Sequence, residues 1–190
     1  MASGSPNPKR SLTPRRRARE YALQGVYQYL VIQKAGELTD VPLAISAIIK
    51  QLGEDPAFKK CQGDLFTGIF QGVIRQHQEL DALIVPELDR PLAELSPVEH
   101  AAMLIGTYEL AADLSVPYKV AINEAVELTK TFGGTDGHKY VNGVLDQLKN
   151  CGKLKSSQTK RCRLTDGQRY VILRALKILC ACRYPPHSLH

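Results

Sequence analysis

Apolar residues recur at helical spacing along most of the chain. Thr13-Pro14 predicts a helix start, because threonine can cap and proline at the first helical position loses no needed N–H. Ala18, Ala22, Val26 and Leu30 then recur every four residues, with Leu23, Tyr27 and Val31 beside them, and Gly36 closes the segment. A second helix is expected over Asp40 to Leu52, with Val41, Ile45, Ile48, Ile49 and Leu52 on one side. Asp55-Pro56 opens a third segment, through Leu65, Ile69, Phe70, Val73 and Ile74 to Ile84, and Pro86 ends it.

Ser96-Pro97-Val98-Glu99 reads as a capping box with proline in its favoured place, and the helix after it should bury Ala102, Ile105 and Leu110. Pro117 opens another, with Val120, Ile122, Ala125, Val126 and Leu128 apolar. Gly133-Gly134 stops it, on the expectation of a left-handed terminal glycine. Asp136 can cap a last helix through Val141, Val144, Leu145 and Leu148. Lys149 to Lys160 reads as a linker and Thr165 to Arg183 as one more helix. No segment alternates apolar and polar residues over five positions, so the fold class is all-α.

The length of 190 residues allows one compact domain with tails, or two very small ones, and 44% hydrophobic residues suffice for a core. The longest apolar stretch, Val171 to Cys182, is cut by Arg174 and Lys177, and the first residues carry no apolar signal core, so a cytoplasmic protein is expected. The five cysteines are an odd number clustered towards one end, which predicts reduced thiols.

Charge is the uneven property. Residues 1–20 hold six basic residues and one acid, residues 21–149 ten and seventeen, and residues 150–190 nine and one. An acidic body with basic ends points to local contact with a polyanion.

The candidate chemistry is that of binding. Arg15, Arg16, Arg17 and Arg19 stand at a helix start, where the dipole prefers acids, and the arginine fork matches phosphate oxygens. Tyr21, Tyr27 and Tyr29 offer faces to unpaired bases; the competing structural assignment puts Tyr27 in the core and the other two on the surface. His100 and His138 lack neighbours at metal-ligand spacing and read as structural or surface histidines. Glu124 and Glu127, three apart, read as a solvated face or as ion-pair partners. The Cys180, Cys182, His187, His190 spacing is not that of a standard zinc site. No phosphate-binding glycine loop and no nucleophile elbow occurs. The expectation is no enzyme, no cofactor and no metal.

An ordered set of residues then resembles one family. Arg15-Arg-Arg-Ala-Arg-Glu20 leads into a helix with Gln24 and Tyr27. Leu80-Asp81, Pro86, Arg90, Val98-Glu99 and Tyr108-Glu109-Leu110 follow. Val116-Pro-Tyr-Lys-Val-Ala-Ile-Asn-Glu-Ala125 continues to Glu127-Leu128 and Phe132-Gly133, and Asp136, His138-Lys139 and Val141-Asn-Gly-Val-Leu-Asp146 close the set. Residues 14–148 are similar to the NusB family of bacterial transcription antitermination proteins.

The resemblance implies about seven helices in two sub-bundles. It also implies binding to boxA, a single-stranded RNA element of ribosomal RNA operon leaders. NusE (ribosomal protein S10) would be the partner, and the pair would deliver the RNA to elongating RNA polymerase with other Nus factors. Carried over by position, the RNA-binding residues are Arg15, Arg16, Arg17, Arg19, Gln24, Tyr27, Asp136, Lys139 and Tyr140, and the partner-binding residue is Glu99. Glu87 stands where a relative has tyrosine, so no RNA contact is carried to it.

Residues 1–13 read as a flexible arm. Residues 149–190 fall outside the resemblance, either as an extension that adds RNA affinity or as a non-native or disordered tail. Low acid content and clustered cysteines favour the second. The competing functions are a helical protein-interaction module and a self-associating form, a homodimer, without specific RNA readout.

Overall fold

Thr13 begins the first helix as the spacing predicts: its Oγ1 accepts from the Arg16 N–H at 3.2 Å, ahead of Pro14. The computed structural model describes residues 12–112 and 116–150. They form α1 (Pro14–Lys34), α2 (Val41–Gly53), α3 (Gly63–Ile84), α4 (Pro97–Ala112), α5 (Tyr118–Phe132) and α6 (Gly137–Asn150), with three single 3-10 turns between α2 and α4. No strand occurs among the described residues. The predicted flexible arm, except its last two residues, and the predicted linker and final helix beyond Asn150 lie outside them.

Helix α1 packs along α3, with α2 beside it, while α4, α5 and α6 pack on one another. Contacts of α4 with both α1 and α3 join the two groups. Phe58, Phe66 and Phe70 continue an aromatic row from Tyr21, with ring centroids 5.0, 5.0 and 5.6 Å apart. Burying each such ring contributes about 1.5–3 kcal/mol relative to exposure. In α4 every side chain from Ala101 to Ile105 is fully buried, so this helix is the spine of the bundle.

Three local expectations are corrected. Tyr21 and Tyr29 are buried and Tyr27 is 40% exposed, the reverse of the structural assignment. At about 100° per residue, Tyr27 turns away from the stripe through Ala18, Ala22 and Val26, and Tyr29 falls back onto it. In α2 only Ile48 and Leu52 are buried, and Val41 is exposed. Gly133 ends α5 with φ −97° and ψ −175°, not left-handed. A side chain there is excluded by crowding, since a Cβ would lie 2.6 Å from the Thr129 carbonyl oxygen. The left-handed stop is Gly36, with φ +74°, after α1.

Candidate RNA interface

The arginines at the start of α1 divide by helix phase. Arg19 lies on the stripe of Leu23, Val26 and Leu30, and is 4% exposed. Its Nε donates to both oxygens of Glu109 at 3.0 and 3.1 Å, and its Nη2 donates to Oε1 at 2.7 Å. Glu124 Oε2 lies 3.9 Å from its Nη1. A fork held this way by a carboxylate that is itself 1% exposed fixes α1 on α4 and α5. The sequence grouped Arg19 with the phosphate-facing arginines, but the structure gives it an internal partner.

Arg15, Arg16 and Arg17 sit nearer solvent. Arg15 Nε donates to the neutral Gln62 at 3.4 Å. Arg16 lies between two acids, with Nε 3.5 Å from Glu20 and Nη1 3.6 Å from Glu127. Glu124 and Glu127 are therefore ion-pair partners of the arginine run, one of the two readings expected for them. The Glu127 carboxyl is held low, first by its bond from Lys130 at 2.7 Å and then by Arg16. Arg17 Nε is buried without a hydrogen-bond partner among the described residues. Its positive charge favours the ionised forms of Asp55, Tyr21 and Cys61. Tyr21 nevertheless has its phenol pushed up to about 12, by burial first and by its 2.6 Å bond to Asp55 next. Gln24 and the exposed Tyr27 carry the solvent side of α1 onward from Arg17.

A second group lies where α4 and α6 begin. Asp136 and Lys139 pair at 2.8 Å with both side chains exposed, and each favours the other's charged form. Tyr140 is half-buried, and the Arg90 guanidinium covers its ring at 4.4 Å. Arg90 is in turn held by Asp89 at 3.0 Å. Burial, then the Asp89 carboxylate, pushes the Tyr140 phenol up. Glu99, in the first turn of α4, packs against Gly137, the first residue of α6, closely enough that a Cβ there would collide with its carboxylate. The expected partner residue and three expected RNA residues thus share one patch.

Local sequence does not mark Arg90 and Asp89 as site residues, since only the fold brings them to Tyr140. His100 is structural, as expected, with Nε2 2.7 Å from Asp81. Among the described residues no cluster of three potential metal ligands occurs, and no helix is long and apolar enough to cross a membrane.

The NusB family model matches residues 16–150. The chain is 54% identical over 134 residues to the transcription antitermination protein NusB of Bordetella pertussis, covering 70% of this chain and 84% of that protein. It is 48% identical over 134 residues to the protein of the same name from Methylobacillus flagellatus, covering 70% and 81%. Among solved structures it is similar to T. maritima NusB, with TM-score 0.60 and 26% identity over 77% of this chain and 98% of that one. These names describe a transcription factor, not an enzyme. With the family model spanning nearly all described residues and relatives about half identical, the chain belongs to the NusB family.

Proposed function

We propose that this protein is a transcription antitermination factor that binds single-stranded boxA RNA together with NusE, ribosomal protein S10, and delivers it to elongating RNA polymerase with other Nus factors. The observation that carries this reading is the first turn of α1. It holds Arg15, Arg16 and Arg17 and no acid, against the preference of the helix dipole. Only Arg16 of the three is in an ion pair among the described residues. A bound polyanion supplies the missing negative charge.

Phosphate contacts from these arginines give affinity without sequence preference. Preference comes from unstacked bases. Tyr27 offers an exposed face for stacking, Gln24 a carboxamide, and Asp136 an acceptor at the head of α6. Lys139 and the Tyr140–Arg90 stack stand beside Asp136 for a further phosphate and base. Arg19 acts by positioning this surface through Glu109. Glu99 offers the partner an acidic contact, and an acidic body suits a basic ribosomal protein.

The test is a titration of labelled boxA-type RNA, alone and with NusE, against a scrambled RNA of equal length. Tighter binding of boxA, sharpened by NusE, is the expected result. Equal, weak, salt-sensitive binding of both RNAs would replace this reading by a protein-interaction module. RNA binding that falls as the protein concentration is raised into a dimer would replace it by a self-associating form.

A further inference from the structure

Helices α5 and α6 leave an open cleft of about 340 Å³ on their outer side, at the end of α6 away from Asp136. Tyr118, Lys119 and Asn123 line it from α5, and Asn142, Asp146 and Lys149 from α6. Tyr118 is 42% exposed, and the Lys149 ammonium lies 4.1 Å from its ring centroid, which holds the ring in place. Asn142 donates to Asp146 at 3.4 Å. Neither lysine is in an ion pair among the described residues, although residues 21–149 hold seventeen acids. Lys149 covers one face of the ring and Asn142 is held by the Asp146 carboxylate, which leaves the rest of the exposed Tyr118 ring, the Asn123 carboxamide and two ammonium groups without a carboxylate partner as the parts that take a nucleotide: a ring to stack on, an amide for a base edge, and cations for phosphate.

The geometry points to this cleft as a second contact for single-stranded RNA, taking one unstacked nucleotide outside the boxA core. This rests on the RNA-binding reading above and extends its track along α6. Two observations favour RNA over an acidic protein segment. The exposed ring of Tyr118 and the Asn123 carboxamide in the same cleft suit a flat base. The charge of the cleft, two lysines against the single carboxylate of Asp146, also suits one phosphate rather than a run of carboxylates.

The test uses the full chain and two RNAs, a boxA-type core and the same core extended by unstructured nucleotides on both sides. The extension is expected to tighten wild-type binding by about fivefold or more, the low end for one stacked base. Lys119→Gln with Lys149→Gln should abolish that gain. It should also make the salt slope for the long RNA shallower by about 1.4, two phosphates at about 0.7 each on a single strand. Tyr118→Phe should keep the gain and Tyr118→Ala lose it, with core binding unchanged in every variant. An extension that adds nothing overturns the cleft contact, as does equal loss for both RNAs in the lysine variant. Displacement of the long RNA's gain by an acidic peptide, with no effect of Tyr118→Ala, would assign the cleft to a protein. If the wild-type protein ignores the core RNA, the antitermination reading fails; if only the gain is missing, the cleft alone does.

Discussion

Arg19 and Glu109, ninety residues apart, form a forked ion pair at 2.7–3.1 Å, with side chains 5% and 1% exposed. The pair joins the first helix, whose start carries the arginines, to the buried spine of the bundle. Removing one partner leaves the other charge buried, which costs about 3–5 kcal/mol, whereas replacing both with apolar residues of similar volume is close to neutral. Arg19→Ala should therefore lower the urea midpoint sharply, and Arg19→Met with Glu109→Leu should restore much of it. An Arg19→Ala protein of wild-type stability would show that the pair holds nothing together.

Arg16 and Arg17 should behave differently, because solvent reaches both. Replacing both with Ala is expected to weaken binding to every single-stranded RNA alike. The log–log salt slope should flatten by about 1.4, at about 0.7 per phosphate. Titrations at several salt concentrations read this directly. A steeper or unchanged slope would place the phosphates elsewhere.

The contrast between these arginines shows how far the sequence could be read. Helix boundaries followed from local chemistry: Thr13 and Asp40 cap α1 and α2, and Pro86 follows the end of α3. The burial of Arg19 is legible in its phase with Leu23, Val26 and Leu30, but in a run of four arginines in five residues charge alone does not set it apart from its neighbours. The same phase assigns Tyr27 to solvent and Tyr29 to the core. The partners were not legible. Glu109, Arg90 and the carboxylate of Glu99 against Gly137 become neighbours of their sites only when helices distant in sequence pack together, and no local pattern encodes that.

Glu99 is expected to answer to the partner. Its half-buried carboxylate lies against the head of α6 and within the field of Arg90. On the proposed function, Glu99→Lys sets a cation against a basic partner, and like charges in contact cost several kcal/mol. The NusE complex should weaken at least about tenfold in a pull-down or calorimetric titration. Normal complex formation would remove Glu99 from the interface.

Gly72 on α3 faces the ring of Tyr108 on α4, and a Cβ there would overlap the ring. Gly72→Ala should destabilise the protein by about 1–3 kcal/mol, the range for overpacking, despite the better helix propensity of alanine. Adding Tyr108→Leu should recover part of that loss. Two independent, additive effects in this double-mutant cycle would show that the helices do not meet at this point.

Tyr21 makes the high-pH limb of stability testable. Tyr21 is 6% exposed, and its phenol is pushed up from the ordinary 10.0 to about 12, by burial first and then by its bond to Asp55. Below pH 10 both the folded and the unfolded chain keep this proton, so the contribution is whole. Between pH 10 and 12 the unfolded chain loses it while the folded chain holds it. Stability therefore falls as pH rises through that window. Tyr21→Phe removes the titrating group, at the loss of one hydrogen bond to Asp55. Urea melts of the two proteins from pH 9 to 12 should start apart and converge, the wild type declining more steeply. Parallel curves over that range would mean that the phenol ionises alike in both states, and that neither burial nor Asp55 holds its proton.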